Sequence, residues 1–133
     1  MLYCIANGYD VPKVNQENII YLVSSIEKLI ESKIKFVFTD GHSYAAFTRF
    51  FNDKKDLREI DWDTVYSKRW NNTQDDSDRK RRKEAECLVY QELRIDNILA
   101  IVVYNQNANN YISNVLNRNR LNIPVKIKPA WYY

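Results

Sequence analysis

An α/β fold, with strands and helices intermixed along the chain, is what this sequence predicts, and three stretches carry the prediction. Asn18 to Ser24 is rich in β-branched and aromatic residues and runs into a segment with Ile26, Leu29 and Ile30 on one stripe, then into the apolar run Phe36-Val37-Phe38-Thr39. Ile98 to Tyr104 is the most apolar run of the chain and reads as a central strand. Asn110 to Arg118 follows with Ile112, Val115 and Leu116 at helical spacing.

In chain order, Asn18 to Ser24 is a strand, and Ser24 or Ser25 can cap the helix that follows. With Phe36 to Thr39, ended by Asp40-Gly41, these elements read as a βαβ unit. His42 to Asn52 places Tyr44, Phe47, Phe50 and Phe51 at helical spacing, and a second short helix is expected through Leu57 and Ile60. Asp61 to Asp78 has the strongest loop composition, with Trp62, Tyr66 and Trp70 flanking an apolar-free core at Asn71 to Asp76. Glu86 to Tyr90 is a short strand, and Gln91 to Asn97 one helical turn. Pro124 to Lys128 alternates Val125 and Ile127 with Lys126 and Lys128 between prolines, the pattern of an edge strand.

Composition bounds the function classes. A chain of 133 residues, 45% apolar and 28% charged, is globular rather than disordered, and fits one domain or part of one over residues 1–133. No apolar run approaches bilayer thickness, so no membrane role is expected. Met1-Leu2-Tyr3-Cys4 lacks the features of an export signal, which makes a cytoplasmic location the expectation. Cys4 and Cys87 lack metal-ligand spacing and there is one histidine, too few partners for zinc, so no metal is expected and both thiols read as buried. The net charge of +3 is small, but its distribution is local.

The densest chemistry lies between Asp75 and Tyr90. Asp75-Asp76-Ser77-Asp78 is an acidic turn, residues 79–83 are all basic, and Glu84-Ala85-Glu86 leads into an apolar run. As a strand, Glu86 to Tyr90 puts Glu86, Leu88 and Tyr90 on one face and Cys87 and Val89 on the other. A carboxylate at a strand start beside cations suits an anionic substrate. The cations neutralise phosphate, while the carboxylate accepts a hydrogen bond from a hydroxyl or stabilises a developing positive centre. The residues alone leave two readings of each feature. Glu86 is either that reacting carboxylate or a solvated rim residue, and the basic run either tracks a phosphate backbone or is a solvated helix face. Glu84, two positions earlier, is the residue most easily confused with Glu86.

Five strings occur in order: Phe36-Val37-Phe38-Thr39-Asp40-Gly41-His42; Thr48-Arg49-Phe50-Phe51-Asn52-Asp53; Ile60-Asp61-Trp62-Asp63; Asp78-Arg79-Lys80-Arg81-Arg82 with Ala85-Glu86; and Trp131-Tyr132-Tyr133. Together they resemble the DarT family, the DNA ADP-ribosyltransferase toxins of DarT/DarG toxin-antitoxin systems, over nearly the whole chain. The resemblance implies an α+β fold of the ADP-ribosyltransferase type, a split mixed sheet with flanking helices. It implies an NAD-dependent enzyme of the glycosyltransferase class, which splits NAD at its nicotinamide bond and places ADP-ribose on a base of single-stranded DNA, thymidine in the family. NAD is then a substrate, and no metal is implied. Glu86 matches the family's catalytic glutamate, with Cys87 in place of the usual aromatic.

The segment from about Ala45 to Glu86 matches the family's target-recognition loop, the DNA-facing wall. The DNA-binding candidates it implies are His42, Arg49, Trp70, Arg79, Lys80, Arg81 and Arg82, because bases stack on aromatic faces and cations hold phosphates. Trp62 and Tyr66 join them as aromatics, with Trp70 in the polar loop preferred to Trp62. The family's His-x-Thr-like element and following arginine are not found, so the N-terminal NAD-binding portion is expected to be missing, and the cofactor-binding residues with it. Low or no activity of the chain alone is the corresponding expectation, together with an uncovered apolar sheet edge that promotes association. The implied partners are single-stranded DNA, a DarG-like macrodomain antitoxin and a complementary N-terminal chain. The alternative is a non-catalytic remnant that binds single-stranded DNA or a protein, with salt-sensitive DNA binding and no NAD consumption.

Overall fold

The structure, a computed structural model, describes residue 5, residues 7–9 and residues 11–132. The expectation for Cys4 and the last residue of the Trp131-Tyr132-Tyr133 string lie outside these. In chain order the regular elements are β1 (Tyr21–Val23), α1 (Ile26–Glu31), β2 (Phe36–Thr39), β3 (Phe50–Phe51), α2 (Trp62–Tyr66), α3 (Arg79–Lys83), β4 (Cys87–Val89), β5 (Ala100–Val103), α4 (Gln106–Arg118) and β6 (Val125–Ile127). They divide into two compact units, one formed by the chain up to Lys28 together with Leu93 onward, the other by Leu29–Glu92. The mixed α/β class expected from the sequence is the class observed.

The first unit is built on a sheet of order β1-β5-β6, in which β1 runs antiparallel and β6 parallel to the central strand. Every residue of β5 is buried, and Val102 and Val103 at 2% and 0% exposure are its most enclosed side chains. Each contributes roughly 1.5–3 kcal/mol by leaving water. α4 is capped by Asn105, whose side-chain oxygen accepts from the Ala108 N–H at 3.0 Å. It lays Ala108, Ile112 and Leu116 onto Ile98, Ile101 and Val103. Tyr21, Tyr104, Trp131 and Tyr132 form a chain of edge-on ring contacts. The Tyr21 hydroxyl donates to the Trp131 carbonyl at 2.6 Å, and the Tyr132 hydroxyl lies 3.0 Å from the carbonyls of both Ile19 and Val102.

The second unit holds an antiparallel sheet of order β3-β2-β4. Phe38 stands opposite both Phe51 and Cys87, is almost fully buried, and stacks on the Phe51 ring at 5.6 Å. One register further, the Thr39 N–H donates to the Glu86 carbonyl at 2.9 Å, so the ladder runs one residue past β4 and ends on Glu86.

Four expectations are corrected. β1, α1 and β2 do not form a βαβ unit, because β1 and β2 belong to different sheets. Instead β1 pairs antiparallel with the apolar β5, and the parallel unit is β5-α4-β6, whose crossover carries the thirteen-residue helix α4 that packs on the sheet. His42 to Asn52 is not a helix. Its polar groups close turns instead, with the Thr48 hydroxyl donating to the His42 carbonyl at 2.7 Å and the Ala45 N–H to the same carbonyl at 3.0 Å, and Phe50–Phe51 pairs as β3. Tyr44 and Phe47 are left 94% and 88% exposed. The Asp61 to Asp78 stretch contains a helix, α2, because Asp61 caps it by accepting from the Thr64 N–H at 3.0 Å and the Thr64 hydroxyl at 2.8 Å. Cys87 is exposed rather than buried, since the β4 edge carries no further strand among the described residues.

The other elements lie where the pattern put them. Ser25 is the serine that caps α1, accepting from the Lys28 N–H at 3.2 Å. The Leu57 segment is a 3-10 helix, Lys54–Glu59, and the turn before β5 is Ile95–Asn97. β6 is an edge strand. Among the described residues no helix is long and apolar enough to cross a membrane.

Candidate active site

Glu86 is held from two directions. Its backbone is clamped by Thr39. The Glu86 N–H donates to the Thr39 hydroxyl oxygen at 3.1 Å, that hydroxyl donates to the Gly41 carbonyl at 2.6 Å, and the Thr39 N–H returns to the Glu86 carbonyl at 2.9 Å. Its carboxylate Oε1 accepts from the backbone N–H of Ser43 at 2.8 Å. Hydrogen bonding from the Ser43 side chain and then its backbone outweighs burial, aided by the nearby His42, and holds the Glu86 carboxyl below the ordinary 4.5. The group is therefore ionised at neutral pH. Glu84, the alternative, ends α3, with its N–H bonded to the Arg81 carbonyl at 3.1 Å.

The Ser43 N–H is presented by a turn at residues 40–43, and Asp40 is its anchor. Asp40 is 8% exposed. It accepts from the Arg49 N–H at 3.0 Å, from Arg49 Nε at 2.8 Å and from Arg81 Nη1 at 3.0 Å. Burial alone pushes its carboxyl up, but the bonds from Arg49 and Arg81 together outweigh it and hold the group below 3.8. His42 is exposed, with its N–H bonded to the Arg81 carbonyl at 2.9 Å. Its Nδ1 accepts from the Tyr44 N–H at 3.1 Å. A Cβ on Gly41 would come within 2.4 Å of Arg81 Nη1 and 2.8 Å of its carbonyl oxygen, so the turn packs directly on α3.

Acid should weaken this arrangement. Asp40, Asp61 and Asp78 all have folded pKa values below the ordinary 3.8. A depressed carboxyl contributes its stability in full above its unfolded value and loses it as pH falls through the folded one. Urea-unfolding stability is therefore expected to fall steadily below about pH 4. Asp40→Asn should flatten part of that fall, and an unchanged slope in the variant would show that Asp40 does not carry it.

The basic run is mostly turned inward. Arg79 donates to the Ser67 hydroxyl at 2.8 Å and pairs with Asp76 at 3.4 Å. Arg81 forks onto Asp78 at 2.7 and 2.8 Å, while Arg82 pairs with Asp76 at 2.7 Å and Asp61 at 3.1 Å. The Lys83 ammonium donates to the carbonyls of Val65, at 2.8 Å, and Ser67, and lies 4.9 Å over the Trp70 ring. Lys80 is exposed, and among the described residues its ammonium has no ion pair. Arg49 pairs with Asp40 and Glu59 and lies over the Phe51 ring. The spacings Asp76 to Arg79, Asp78 to Arg81 and Asp78 to Arg82, at i,i+3 and i,i+4, were the available signal for this pairing.

The structure thus brings Glu86, His42, Arg49 and Arg81 together around the 40–43 turn. Arg79, Arg82 and Trp70 lie apart from it, in the packing of α2 against α3. Sequence reasoning gave no role to Thr39, Asp40 and Ser43, although Thr39 and Asp40 are a polar pair ending an apolar strand. It also missed the exposure of Tyr44 and Phe47. Trp62 and Trp70 do not differ in exposure, whereas Tyr66, stacked on Trp62 at 5.8 Å, is 79% exposed. Among the described residues no group of three or more His, Cys, Asp or Glu side chains is arranged to hold a metal ion.

A family model described as "ssDNA thymidine ADP-ribosyltransferase, DarT" matches residues 1–133. A DNA ADP-ribosyl transferase of Thermus sp. (strain 2.9) is 32% identical over all of this chain and 63% of its own length. The chain thus spans about three-fifths of the curated relatives it matches. The structure of Thermus sp. 2.9 DarT in complex with NAD+ superposes with a TM-score of 0.91 and 30% identity, over 99% of this chain and 66% of that one. Its complex with ADP-ribosylated single-stranded DNA gives 0.90 and 30% over 99% of this chain and 63% of that one.

Proposed function

Because the chain belongs to the DarT family of single-stranded-DNA thymidine ADP-ribosyltransferases, we propose that it carries the reacting carboxylate and the DNA-facing wall of an enzyme that transfers ADP-ribose from NAD to a thymidine base. The observation that carries this reading is Glu86: ionised, fixed through its backbone by Thr39, and aimed by the Ser43 N–H. Resemblance to relatives solved with NAD+ and with ADP-ribosylated DNA supports the choice of substrates. Single-stranded DNA and a DarG-like macrodomain antitoxin are the partners proposed with it.

In the proposed step the bond between the ribose C1′ and the nicotinamide nitrogen breaks. Its electron pair leaves with neutral nicotinamide, and the oxocarbenium-like C1′ bonds to a base nitrogen that gives up its proton to solvent. Glu86 accepts a hydrogen bond from the ribose 2′-hydroxyl and stabilises the positive centre as it develops. Its lowered pKa suits this electrostatic role better than proton abstraction, for which a value near the working pH is favoured. The exposed rings of Tyr44, Phe47 and Tyr66 supply stacking faces for unpaired bases, and Lys80 is the cation placed for phosphate. Arg49, Trp70, Arg79, Arg81 and Arg82 enter the proposal as supports of that wall.

The test is mass spectrometry of a thymidine-containing single-stranded oligonucleotide incubated with NAD and the chain, alone and with the N-terminal portion of the Thermus sp. 2.9 relative. A gain of one ADP-ribose in either sample supports the reading. Binding with no gain in either leaves the DNA-binding remnant as the better description, and neither binding nor gain overturns both. Lys80→Gln is expected to lower the slope of log affinity against log salt by roughly 0.7 for the single strand, measured by fluorescence anisotropy. An unchanged slope would remove Lys80 from the phosphate path.

A further inference from the structure

We infer that Arg81, read from the sequence as a phosphate contact, is a positioning residue that sets the carboxylate of Glu86 through the 40–43 turn. This rests on Glu86 being the reacting group. All three guanidinium nitrogens are used internally. Nε and Nη2 fork onto Asp78, and Nη1 reaches Asp40 at 3.0 Å and the Thr48 hydroxyl at 3.2 Å. The side chain is 16% exposed, which leaves little surface for a phosphate.

Arg81 touches three successive residues of the turn. Its guanidinium holds the Asp40 carboxylate, its side chain and carbonyl oxygen together fill the space beside Gly41, and that carbonyl accepts the His42 N–H. The next residue in the chain is Ser43, whose N–H meets Glu86 Oε1. The Asp78 fork fixes the far side of the guanidinium on the residue that precedes α3, so the placement of the start of α3 is passed to Glu86 through one planar group. A lysine keeps the charge but cannot bond three partners in one plane. Arg81→Lys should therefore release the turn without removing a cation.

The deciding measurement is an NMR titration of the isotope-labelled chain, following the Glu86 carboxyl carbon and the Ser43 amide. In the wild type the Ser43 amide should follow the titration of Glu86, with a midpoint below 4.5. In Arg81→Lys the midpoint should rise toward 4.5 and the Ser43 response should shrink, while Lys80→Gln changes neither. His42 faces Glu86 and Asp40 faces Arg81, with Arg49 and Asp78 as the remaining charges of the network. The carboxyl resonances of Asp40 and Asp78 separate their titrations from that of Glu86.

A wild-type Ser43 amide indifferent to Glu86, or a folded Arg81→Lys with an unmoved midpoint, overturns the inference. If Arg81→Lys does not fold, the double variant Asp40→Asn/Arg81→Gln, which loses both charges of the pair, decides on the same criterion. The wild-type titration is informative in any case. These readouts need no activity, so a failure of the transfer reaction is distinguishable from a failure of the positioning. In an active preparation Arg81→Lys should lower kcat about tenfold to a hundredfold with KM for the oligonucleotide unchanged. A raised KM with a lowered salt slope would instead mark a phosphate contact.

Discussion

Glu86→Gln is expected to reduce ADP-ribose transfer by about a hundredfold to a thousandfold, the usual cost of losing one preorganised electrostatic group at a reacting centre. The substitution is nearly isosteric and keeps an oxygen to accept the Ser43 N–H, so the 40–43 turn should survive. What it removes is the negative charge that the proposed step sets against the developing oxocarbenium-like centre, an interaction strongest in the transition state. The loss should therefore fall on kcat, with oligonucleotide affinity and its salt dependence unchanged. Initial rates of modified oligonucleotide, in the preparation that gives wild-type transfer, check this. A variant within about fivefold of wild type, roughly 1 kcal/mol, would exclude Glu86 as the reacting carboxylate.

Asp40→Ala is expected to destabilise the protein by about 3 kcal/mol, at the lower end for breaking a buried ion pair by removing one partner. The substitution strips the acceptor from the Arg49 N–H, Arg49 Nε and Arg81 Nη1 at once. The cost stays at the lower end because Arg49 is 57% exposed and can be rehydrated, while Arg81 keeps its fork on Asp78. Urea denaturation followed by tryptophan fluorescence measures it. A loss below about 1 kcal/mol would place Asp40 among ordinary surface carboxylates, contrary to its burial.

The elements that were legible in the sequence are those whose own side chains make the core. β5 announced itself as an apolar run, α4 by the spacing of Ile112 and Leu116, and β6 by its alternation between prolines. The misreadings share a cause. Tyr44 and Phe47 have helical spacing, yet the conformation there is dictated by polar bonds from Thr48, Ala45 and Arg49 to residues whose partners are not visible in a one-dimensional pattern. Likewise, Asp61 makes a helix where composition indicated a loop. At the candidate site, the place of Glu86 at a strand start was legible because it is a local feature. The groups that aim it were not, since Thr39, Asp40 and Ser43 lie more than forty residues away in the chain. Arg79, Arg81 and Arg82 were read as cations seeking phosphate because charge is visible in a sequence and pairing is not. The acidic residues just before them were the clue.

The tyrosine contacts described for the first unit bear on the order in which the chain folds. Residues 29–92 are continuous, so everything that supports Glu86 is made as soon as that stretch leaves the ribosome. The first unit, by contrast, joins Tyr21 to Trp131 and Ile19 to Tyr132, pairs separated by 110 and 113 positions. Such distant pairings close slowly, because the loop entropy must be met before the contacts form. During synthesis the support of the carboxylate can therefore be complete while β1 waits, unpaired, for β5 and for Trp131 and Tyr132 to be added.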